Sequence, residues 1–306
     1  MMKSYAPKIA AERAVKSNLA LGLSRHKYPE LVKTKVTSVM TADAHTSALT
    51  QFAKHLMSGS GKHLKSASSS DAEEYLRNIA LSKKQSTVSL CRQAINLHLL
   101  PYQPVKHVVS AVPTIPVNRA YSSLQIKLLC AAAPPRLALS IGLAYSAGLR
   151  AMELVSLGPR GERFTSNRDW NSQRFGGRGH YITFVVHGKG GLCREVRIAP
   201  ELAEKLLALR RPLPISVSNR HARLTSYFDL IGGHDFSIQF TQLSKRVLGA
   251  SHGAHGLRHS YAQQRLHELL CLGLIIDEAI KVVSQEMGHF AIKNTMAYLR
   301  DQVAPR

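Results

Sequence analysis

The sequence predicts a mainly α-helical protein with two domains, a small helical domain followed by a mostly helical domain that contains a small antiparallel β-hairpin. Three observations support this prediction. Apolar residues recur at helical spacing through residues 37–105. Four prolines then interrupt residues 101–120, which is typical of a linker. Beyond them, helical patterns resume and are broken by one pair of β-rich runs around a glycine-rich turn.

The composition points to a folded protein that binds a polyanion. Of the 306 residues, 44% are apolar, which is enough for a buried core, and the formal net charge is +22. Residues 1–110 hold 16 basic and 6 acidic residues, and residues 111–306 hold 25 and 13, so the excess extends along the whole chain. An extended nucleic acid is therefore the expected partner, and a membrane surface is the alternative.

Two absences indicate the cellular setting. No run approaches a transmembrane span, and no apolar segment follows Lys3 and Lys8 as in a signal peptide, so no insertion into a membrane is expected. The cysteines are scattered without a CxxC pair, which excludes the usual zinc modules and favours reduced cytosolic thiols that mostly fill the core. They are Cys91, Cys130, Cys193 and Cys271.

The first domain is predicted over residues 37–105, after a basic extension over residues 1–36 with a possible helix at 11–23. The extension could be an arm on DNA or a helix packed on the next domain. One helical stripe of the domain is formed by Leu49, Phe52 and Leu56.

Helix boundaries in this domain are predicted from polar caps and proline. Ser70 and Glu73 form a possible capping box, and Ser86 can cap a third helix that ends before Pro101. Residues 106–120 form the predicted linker.

The second domain is predicted over residues 121–306. Helices resume at Ser122 or Ser123, and the apolar run 137–148 predicts a buried helix. The runs 181–187 and 192–198 predict a β-hairpin, and Pro200 opens another helix. Polar residues with scattered glycine or proline predict loops at 158–180 and 211–236.

Two candidate site residues lie directly after the buried helix. Arg150 follows Gly148, which lets the backbone turn, and Glu153 lies one helical turn further on. A buried arginine is costly unless it is paired, so Glu153 could orient Arg150 while its guanidinium faces a phosphate. A purely structural Arg–Glu pair is an equally good interpretation.

A third candidate, Lys189, lies at the tip of the predicted hairpin in HGKGG. A lysine on a glycine-rich turn could reach a groove and donate a proton to a leaving oxygen, although an ordinary exposed lysine would have the same pattern. A nucleotide-binding phosphate loop fits poorly, because Gly190 follows the lysine where that motif has Ser or Thr.

The last fifty residues contain further candidates. HGLRH places His255 and Arg258 three residues apart at the start of a predicted helix, and GHF places His289 nine residues before Tyr298. A helix starting near residue 294 or 295 would direct the tyrosine away from its apolar stripe, so we expect an exposed phenol. A metal site built from His252, His255 and His259 is the alternative, but no cysteine or carboxylate lies near them in sequence before Glu268. The HExxH pattern also fails at His267-Glu268, because Cys271 stands where the second histidine would be.

In this order, GLRAMEL, HGKGGLCREVRIAP, HGLRHSYA and MGHFAIKNTMAYL resemble the motifs of the tyrosine recombinase (phage integrase) family. The resemblance covers residues 120–300 in detail and the preceding helical domain, a core-binding domain in this family, more loosely. It implies cleavage and rejoining of double-stranded DNA through a 3′-phosphotyrosyl intermediate, without metal, nucleotide or other cofactor. It also implies a homotetramer on DNA and possible accessory DNA-bending or directionality proteins in a bacterial, nucleoid-associated cytoplasmic setting.

The resemblance also implies a role for each residue. Tyr298 would attack the scissile phosphate, and Arg150 and Arg258 would hold its non-bridging oxygens. Lys189 would protonate the departing 5′-oxygen, and His255 would assist proton transfer at the tyrosine. His289 would hydrogen-bond the phosphate, and Glu153 would support Arg150.

Several alternatives stay open. We favour the integrase of a mobile element, but a chromosome-dimer resolvase or a transposon recombinase would share the same motifs. The alternative hypotheses are that the protein is a type IB topoisomerase-like enzyme, a non-catalytic DNA-binding protein on this fold, or a metal-dependent hydrolase. Only eight residues follow Tyr298, whereas many relatives carry a further helix that docks on a neighbouring subunit, so the N-terminal extension is a candidate for contacts between protomers.

Overall fold

The computed structural model describes residues 6–21, 23, 28–113, 117–219 and 222–299, apart from the side chains of residues 32, 189, 219 and 222. The chain divides into two compact units, Met1–Ile115 and Pro116–Arg306. The tail after Leu299 and parts of the predicted extension and linker lie outside the described residues. Within the described ranges, every helix is too short or too polar to cross a membrane.

The first unit is helical. Its helices are α1 (Pro7–Lys16), α2 (Pro29–Thr34), α3 (Val39–Ser60), α4 (Ser69–Ala80) and α5 (Gln85–His98), with a 3₁₀ turn at Leu64–Ser66. The predicted stripe of Leu49, Phe52 and Leu56 is buried and packs with residues of α4 and α5. The helix expected at residues 11–23 instead ends at Lys16.

The helix caps of this unit differ from the prediction. Ser68 rather than Ser70 caps α4, because Ser68 is the last residue with an extended backbone and Ser70 already lies inside the helix. The Ser68 hydroxyl accepts from the Asp71 amide at 3.2 Å, and the Asp71 carboxylate accepts from the Ser68 amide at 2.8 Å. Ser86 is likewise not a cap, since α5 begins one residue earlier, at Gln85.

The second unit holds eight helices among the described residues: α6 (Ser123–Ala132), α7 (Pro135–Ser146), α8 (Ala151–Val155), α9 (Pro200–Leu207), α10 (Gly233–Leu248), α11 (Gly256–Cys271), α12 (Ile276–Glu286) and α13 (Ile292–Leu299). A capping box between Ser122 and Gln125 starts α6. Helix α7 is the predicted buried helix, with Ile141 and Leu143 fully buried.

The predicted hairpin is present and belongs to a small antiparallel sheet. Strand β2 (Ile182–His187) pairs with β3 (Cys193–Ile198), and β1 (Gly158–Pro159) pairs with the other edge of β2. The side chains of β3 alternate, so that Arg194, Val196 and Ile198 face the interior. The mainly α-helical fold class with a small antiparallel sheet is therefore confirmed.

The loop predicted over residues 211–236 is wrong. Strands β4 (Arg210–Asn219) and β5 (Ala222–Phe228) form a second antiparallel hairpin there, and α10 begins at Gly233. Pro212 and Pro214 suggested a loop, but β4 pairs with β5 alone, and an edge strand tolerates residues that lack an N–H. Strand β1 likewise falls inside the loop predicted over 158–180.

The expectation that most cysteines fill the core is also wrong. All four are free thiols, but Cys91 is buried, Cys130 and Cys193 are partly exposed, and Cys271 is exposed. The position of Cys271 at the last residue of α11, beside an exposed turn, accounts for its exposure.

Candidate active site

The structure brings most of the predicted site residues together in the second unit. Arg150 is the N-cap residue of α8, and His255 and Arg258 lie at the start of α11. His289 lies in the turn between α12 and α13, and Tyr298 lies on α13. These side chains form one connected group that also includes Glu153.

Lys189 is located by its backbone alone. It lies in a 3₁₀ turn, Lys189–Gly191, between β2 and β3, and its side chain is outside the described part of the chain. The start of this turn lies against the group, because a Cβ on Gly188 would be 2.9 Å from Glu153 Oε1. The glycine therefore permits the hairpin to approach the carboxylate closely.

Glu153 is the buried centre of the group, with 1% of its surface exposed. Its carboxylate accepts from Arg150 Nη1 at 2.7 Å and from Arg194 Nη2 at 2.8 Å, and Arg258 Nη1 lies 3.7 Å away. Burial would raise the pKa of Glu153, but the charges of these three arginines lower the pKa to about 2. The carboxylate is therefore ionised and holds three guanidinium groups in one place.

Arg258 is fully buried. It donates to the carbonyl oxygen of Gly148 and, at 2.7 Å, to that of Met287. Burial, followed by the charge of Arg150, lowers its pKa to about 10, which still leaves it cationic at neutral pH. A cation with this little water around it interacts strongly with any anion that enters.

His289 connects the two predicted phosphate-binding arginines. Its Nε2 lies 3.0 Å from Arg150 Nη2 and 3.5 Å from Arg258 Nη2, and its Nδ1 lies 3.0 Å from Thr295 Oγ1. Because arginine can only donate, Nε2 accepts and the ring proton is on Nδ1. Burial, followed by the charges of Arg258 and Arg150, lowers the pKa of His289 to about 3 and so keeps the ring neutral.

The Tyr298 hydroxyl lies 3.0 Å from His255 Nε2. Burial, followed by the charge of Arg258, lowers the pKa of His255 to about 4, so this imidazole is neutral and can accept the phenolic proton. The guanidinium of Arg258 lies 5.9 Å from the centroid of the tyrosine ring. A phenol, a neutral imidazole and a buried guanidinium are therefore adjacent.

The expectation of an exposed, non-packing phenol is wrong. Tyr298 is 9% exposed and belongs to a buried cluster, and its ring lies 4.5 Å from that of His259 and 5.6 Å from that of His289. The apolar stripe of α13 did not reveal this, because histidines rather than aliphatic residues cover the other side of the helix.

Arg194 was missed by the sequence reasoning, although it is 1% exposed and bonds to Glu153. It also donates to the Glu286 carbonyl oxygen at 2.8 Å, which ties β3 to the end of α12. The sequence did indicate its burial. Arg194, Val196 and Ile198 are alternate residues of one strand, so they lie on the same inward face of β3.

The histidines considered for a metal site separate in the fold. The ring of His252 packs on Tyr121 at 5.3 Å, whereas His255 and His259 face Tyr298. In the part of the chain that is described, no three His, Cys, Asp or Glu residues are grouped as metal ligands.

Gly148 gives a test of how tightly this group is built. It has a φ of +60°, and an added Cβ would lie 2.5 Å from the ring of buried Tyr261. We expect Gly148→Ala to lower the free energy of unfolding by about 2–4 kcal/mol, because left-handed backbone strain adds to the clash. Urea unfolding measures the change.

Gly249→Ala is the matched control. Its φ is +75°, but nothing lies within 4 Å of the added Cβ, so only about 1 kcal/mol should be lost. Equal losses in the two variants would contradict the close packing around Gly148.

Chemically, the group suits a phosphate. Donors from Arg150 and Arg258 converge on His289 Nε2, and the Tyr298 hydroxyl lies beside His255. An entering phosphate oxygen could replace Nε2 as the acceptor for both guanidiniums, with the phenol as the nearby nucleophile.

A family model described as integrase matches residues 118–264, which include Arg150, Lys189, His255 and Arg258. The matched segment therefore belongs to the integrase family. The match ends before His289 and Tyr298, so the assignment of these two residues to the candidate site depends on the geometry described above. No protein with a curated description matches the sequence.

Solved structures of tyrosine recombinases have a similar fold. A lambda integrase dimer bound to a COC′ core site has a TM-score of 0.58 at 15% identity, over 96% of this chain and 82% of that one. XerH recombinase in a post-cleavage complex with palindromic difH has a TM-score of 0.55 at 14% identity, over 97% and 94%. A lambda integrase tetramer bound to a Holliday junction has a TM-score of 0.54 at 16% identity, over 92% and 79%.

Proposed function

We propose that this protein is a site-specific recombinase that cuts and rejoins double-stranded DNA through a 3′-phosphotyrosyl intermediate, as the integrase of a mobile element. The observation that carries the proposal is the 3.0 Å contact between the Tyr298 hydroxyl and the neutral imidazole of His255, beside two guanidiniums that converge on one point.

In the first step, the Tyr298 oxygen attacks the scissile phosphorus and His255 accepts its proton. The bond from phosphorus to the 5′-oxygen breaks, and Lys189 supplies the proton that this oxygen takes up. Arg150 and Arg258 bind the non-bridging oxygens of the phosphate. In the second step, a 5′-hydroxyl attacks the phosphorus and gives its proton to Lys189. The bond from phosphorus to the Tyr298 oxygen breaks, and His255 returns a proton to that oxygen.

The electrostatics support this assignment. A pentacoordinate phosphate carries more negative charge at its equatorial oxygens than the diester does, so fixed cations bind the transition state better than the ground state. Glu153 holds Arg150 and Arg258 in position before the DNA arrives, which avoids reorganisation during the reaction. The covalent link preserves the bond energy, so no nucleotide is needed for rejoining.

His289 has a defined part in this scheme. Its Nδ1 proton is directed to Thr295, so its Nε2 is an acceptor in the structure as it stands. A bound phosphate dianion would raise the affinity of Nε2 for a proton, and the resulting imidazolium could then donate to the phosphate.

The expected partner is double-stranded DNA, bound by a homotetramer, with possible accessory DNA-bending or directionality proteins. The charge of +22, spread over the sequence, supports a long polyanionic ligand. The similar solved structures include a lambda integrase dimer on a core site and a lambda integrase tetramer on a Holliday junction, which supports the same assembly here.

The proposal can be tested without knowing the target sequence. Full-length protein is incubated with sheared, randomly nicked genomic DNA from its source organism, in the presence of EDTA. Because a nick lets the short leaving strand diffuse away, cleavage leaves the protein trapped on DNA. We expect DNA that stays bound to protein in SDS, and a tryptic peptide that carries a nucleotide on Tyr298. Sequencing the retained DNA identifies the site.

Absence of covalent DNA would contradict the proposal and favour a non-catalytic DNA-binding protein, which would still retain DNA before SDS treatment. Adducts formed only without EDTA would favour metal-dependent chemistry. Adducts at many unrelated sequences would favour a topoisomerase-like enzyme. The retained sequences would also separate a mobile-element junction from a chromosome-dimer resolution site or a transposon end.

A further inference from the structure

The long connection between β1 and β2 lies across two turns of the candidate site. We use the name brace for its residues 166–178. One end of the brace is joined to β3, because the Ser166 amide donates to the Cys193 carbonyl oxygen at 2.9 Å and the Cys193 amide donates to the Ser166 hydroxyl at 3.0 Å. Cys193 follows the Lys189 turn, which is closed by a bond from the Gly188 amide to the Leu192 carbonyl oxygen at 2.7 Å. Ser166 therefore holds the base of that turn.

The middle of the brace is joined to the turn that carries His289. The Asn171 amide donates to Gln285 Oε1 at 2.6 Å, and Gln285 Nε2 donates to the Asp169 carbonyl oxygen at 3.2 Å. The ring of Trp170 lies 5.1 Å from that of Phe290, the residue after His289. Phe290 on one side of His289 therefore contacts the brace directly, and Gly288 on the other side is linked to it through Gln285, whose carbonyl oxygen accepts from the Gly288 amide at 2.9 Å.

The brace itself is fixed by charged and aromatic groups. The guanidinium of Arg174 stacks on Trp170 at 4.1 Å, and the Phe175 amide donates to the buried Glu286 carboxylate at 2.7 Å. Phe175 has a φ of +64°, which a bulky residue adopts rarely and only where its surroundings impose it. Arg178 forms a two-oxygen pair with Glu268 and bonds to the Ser146 carbonyl oxygen at 3.1 Å.

We propose that the brace is a positioning element that fixes the Lys189 turn relative to the His289 turn, with Ser166 acting at the first and Trp170 at the second. The inference rests on the proposed function, in which Lys189 protonates the leaving oxygen and His289 contacts the phosphate. A turn with glycines at 188, 190 and 191 has many accessible conformations, and a proton donor that is misplaced by about 1 Å can cost up to ~100-fold in rate.

The experiment uses the full chain and the DNA site recovered in the covalent-trapping experiment. Single-turnover cleavage is measured for Ser166→Ala, Ser166→Thr, Trp170→Ala and Trp170→Phe. We expect each alanine variant to cleave about 10–100-fold more slowly, with DNA affinity unchanged. The threonine and phenylalanine variants, which keep the hydroxyl and the aromatic face, should recover most of the rate. Phe164→Ala is the matched control, because this nearby ring is 82% exposed and should leave the rate unchanged.

A second substrate separates a positioning role from general loosening of the fold. In it, sulfur replaces the bridging 5′-oxygen of the scissile phosphate. A thiolate leaves without being protonated, so cleavage no longer depends on a proton donor. We expect the sulfur substrate to restore Ser166→Ala to the wild-type rate, because its defect lies at Lys189. Trp170→Ala should stay slow, because His289 contacts the phosphate rather than the leaving group.

The proposal is overturned if both alanine variants cleave the oxygen substrate at the wild-type rate, or if sulfur leaves the Ser166→Ala defect unchanged. If the wild type forms the adduct and the variants cleave as fast as it does, the role of the brace is refuted and the proposed function stands. If the wild type forms no adduct, both are refuted. Thermal melts identify any variant that fails to fold. If Trp170→Ala unfolds, the cleavage rate of Ser166→Ala alone tests the proposal, because this variant removes only one hydroxyl from a connecting segment.

Discussion

Tyr298→Phe is expected to abolish covalent attachment to DNA while leaving the fold and the DNA affinity in place. The variant lacks the single oxygen that would attack the phosphorus, so residual adduct should be undetectable. Its ring can still pack on His259 at 4.5 Å. The lost hydrogen bond to His255 should cost only about 0.5–1.5 kcal/mol of stability.

Denaturing gels of the variant on nicked substrate measure the adduct, and gel shifts measure affinity. Tyr227→Phe is the matched control, because this phenol also has a hydrogen-bonded hydroxyl, at 3.2 Å from the Glu162 carbonyl oxygen, but lies outside the candidate site. It should form adduct at the wild-type rate. Adduct formation by Tyr298→Phe would assign the nucleophile to another residue. Full recombination by that variant in cells would favour the non-catalytic alternative.

The residues expected to touch the phosphate could be predicted from the sequence because they lie in short motifs. His255 and Arg258 are one helical turn apart, and Arg150 and Glu153 are a second such pair, so local spacing sufficed to place each pair on one face. What spacing could not reveal is that the two pairs meet. Arg258 reaches Glu153 across a sequence separation of more than one hundred residues, and only the tertiary packing, in which α7 contacts both α8 and α11, determines that contact.

The buried residues that hold the site were harder to predict. Arg194 and Arg265 are charged and would be assigned to the surface by composition, yet both are almost completely buried. Each depends on a carboxylate far away in sequence: Arg194 pairs with Glu153, and Arg265 pairs with Glu286 at 2.9 Å. Since a charge can be buried only when its partner is already positioned, this feature belongs to the tertiary structure.

In the fold, too, local features could be predicted from the sequence and features that depend on tertiary packing could not. Helix α3 could be predicted from its periodic apolar stripe, and α7 from its continuous apolar run. The β4–β5 hairpin was missed, since Pro212 and Pro214 are tolerated there only because β4 is an edge strand, which is a property of the sheet. The burial of Tyr298 was missed for a similar reason, since its neighbours His259 and His289 come from two other elements.

Glu153→Gln should cause the largest loss of stability among the variants considered. Removing the negative charge leaves Arg194 and Arg258, which are 1% and 0% exposed, facing one another without their shared counter-charge. Breaking a buried pair in this way costs about 3–5 kcal/mol, although glutamine preserves the shape of the side chain. Urea unfolding at neutral pH measures the loss. Glu162→Gln is the matched control, because its pair with Arg210 lies at the surface, where removal should cost only about 0–1 kcal/mol.

The pH dependence of the free energy of unfolding provides a second, independent test of the role of Glu153. The pKa of Glu153 is lowered from 4.5 to about 2 by the three arginines, so the unfolded chain takes up this proton before the folded protein does. The stability that Glu153 contributes is therefore fully present above pH 4.5 and is lost as the pH falls towards 2. Glutamine does not titrate, so the difference between wild type and variant should stay constant at neutral pH and shrink below 4.5. A difference that is small at neutral pH, or that does not shrink in acid, would mean that Glu153 fills space without holding the arginines by its charge.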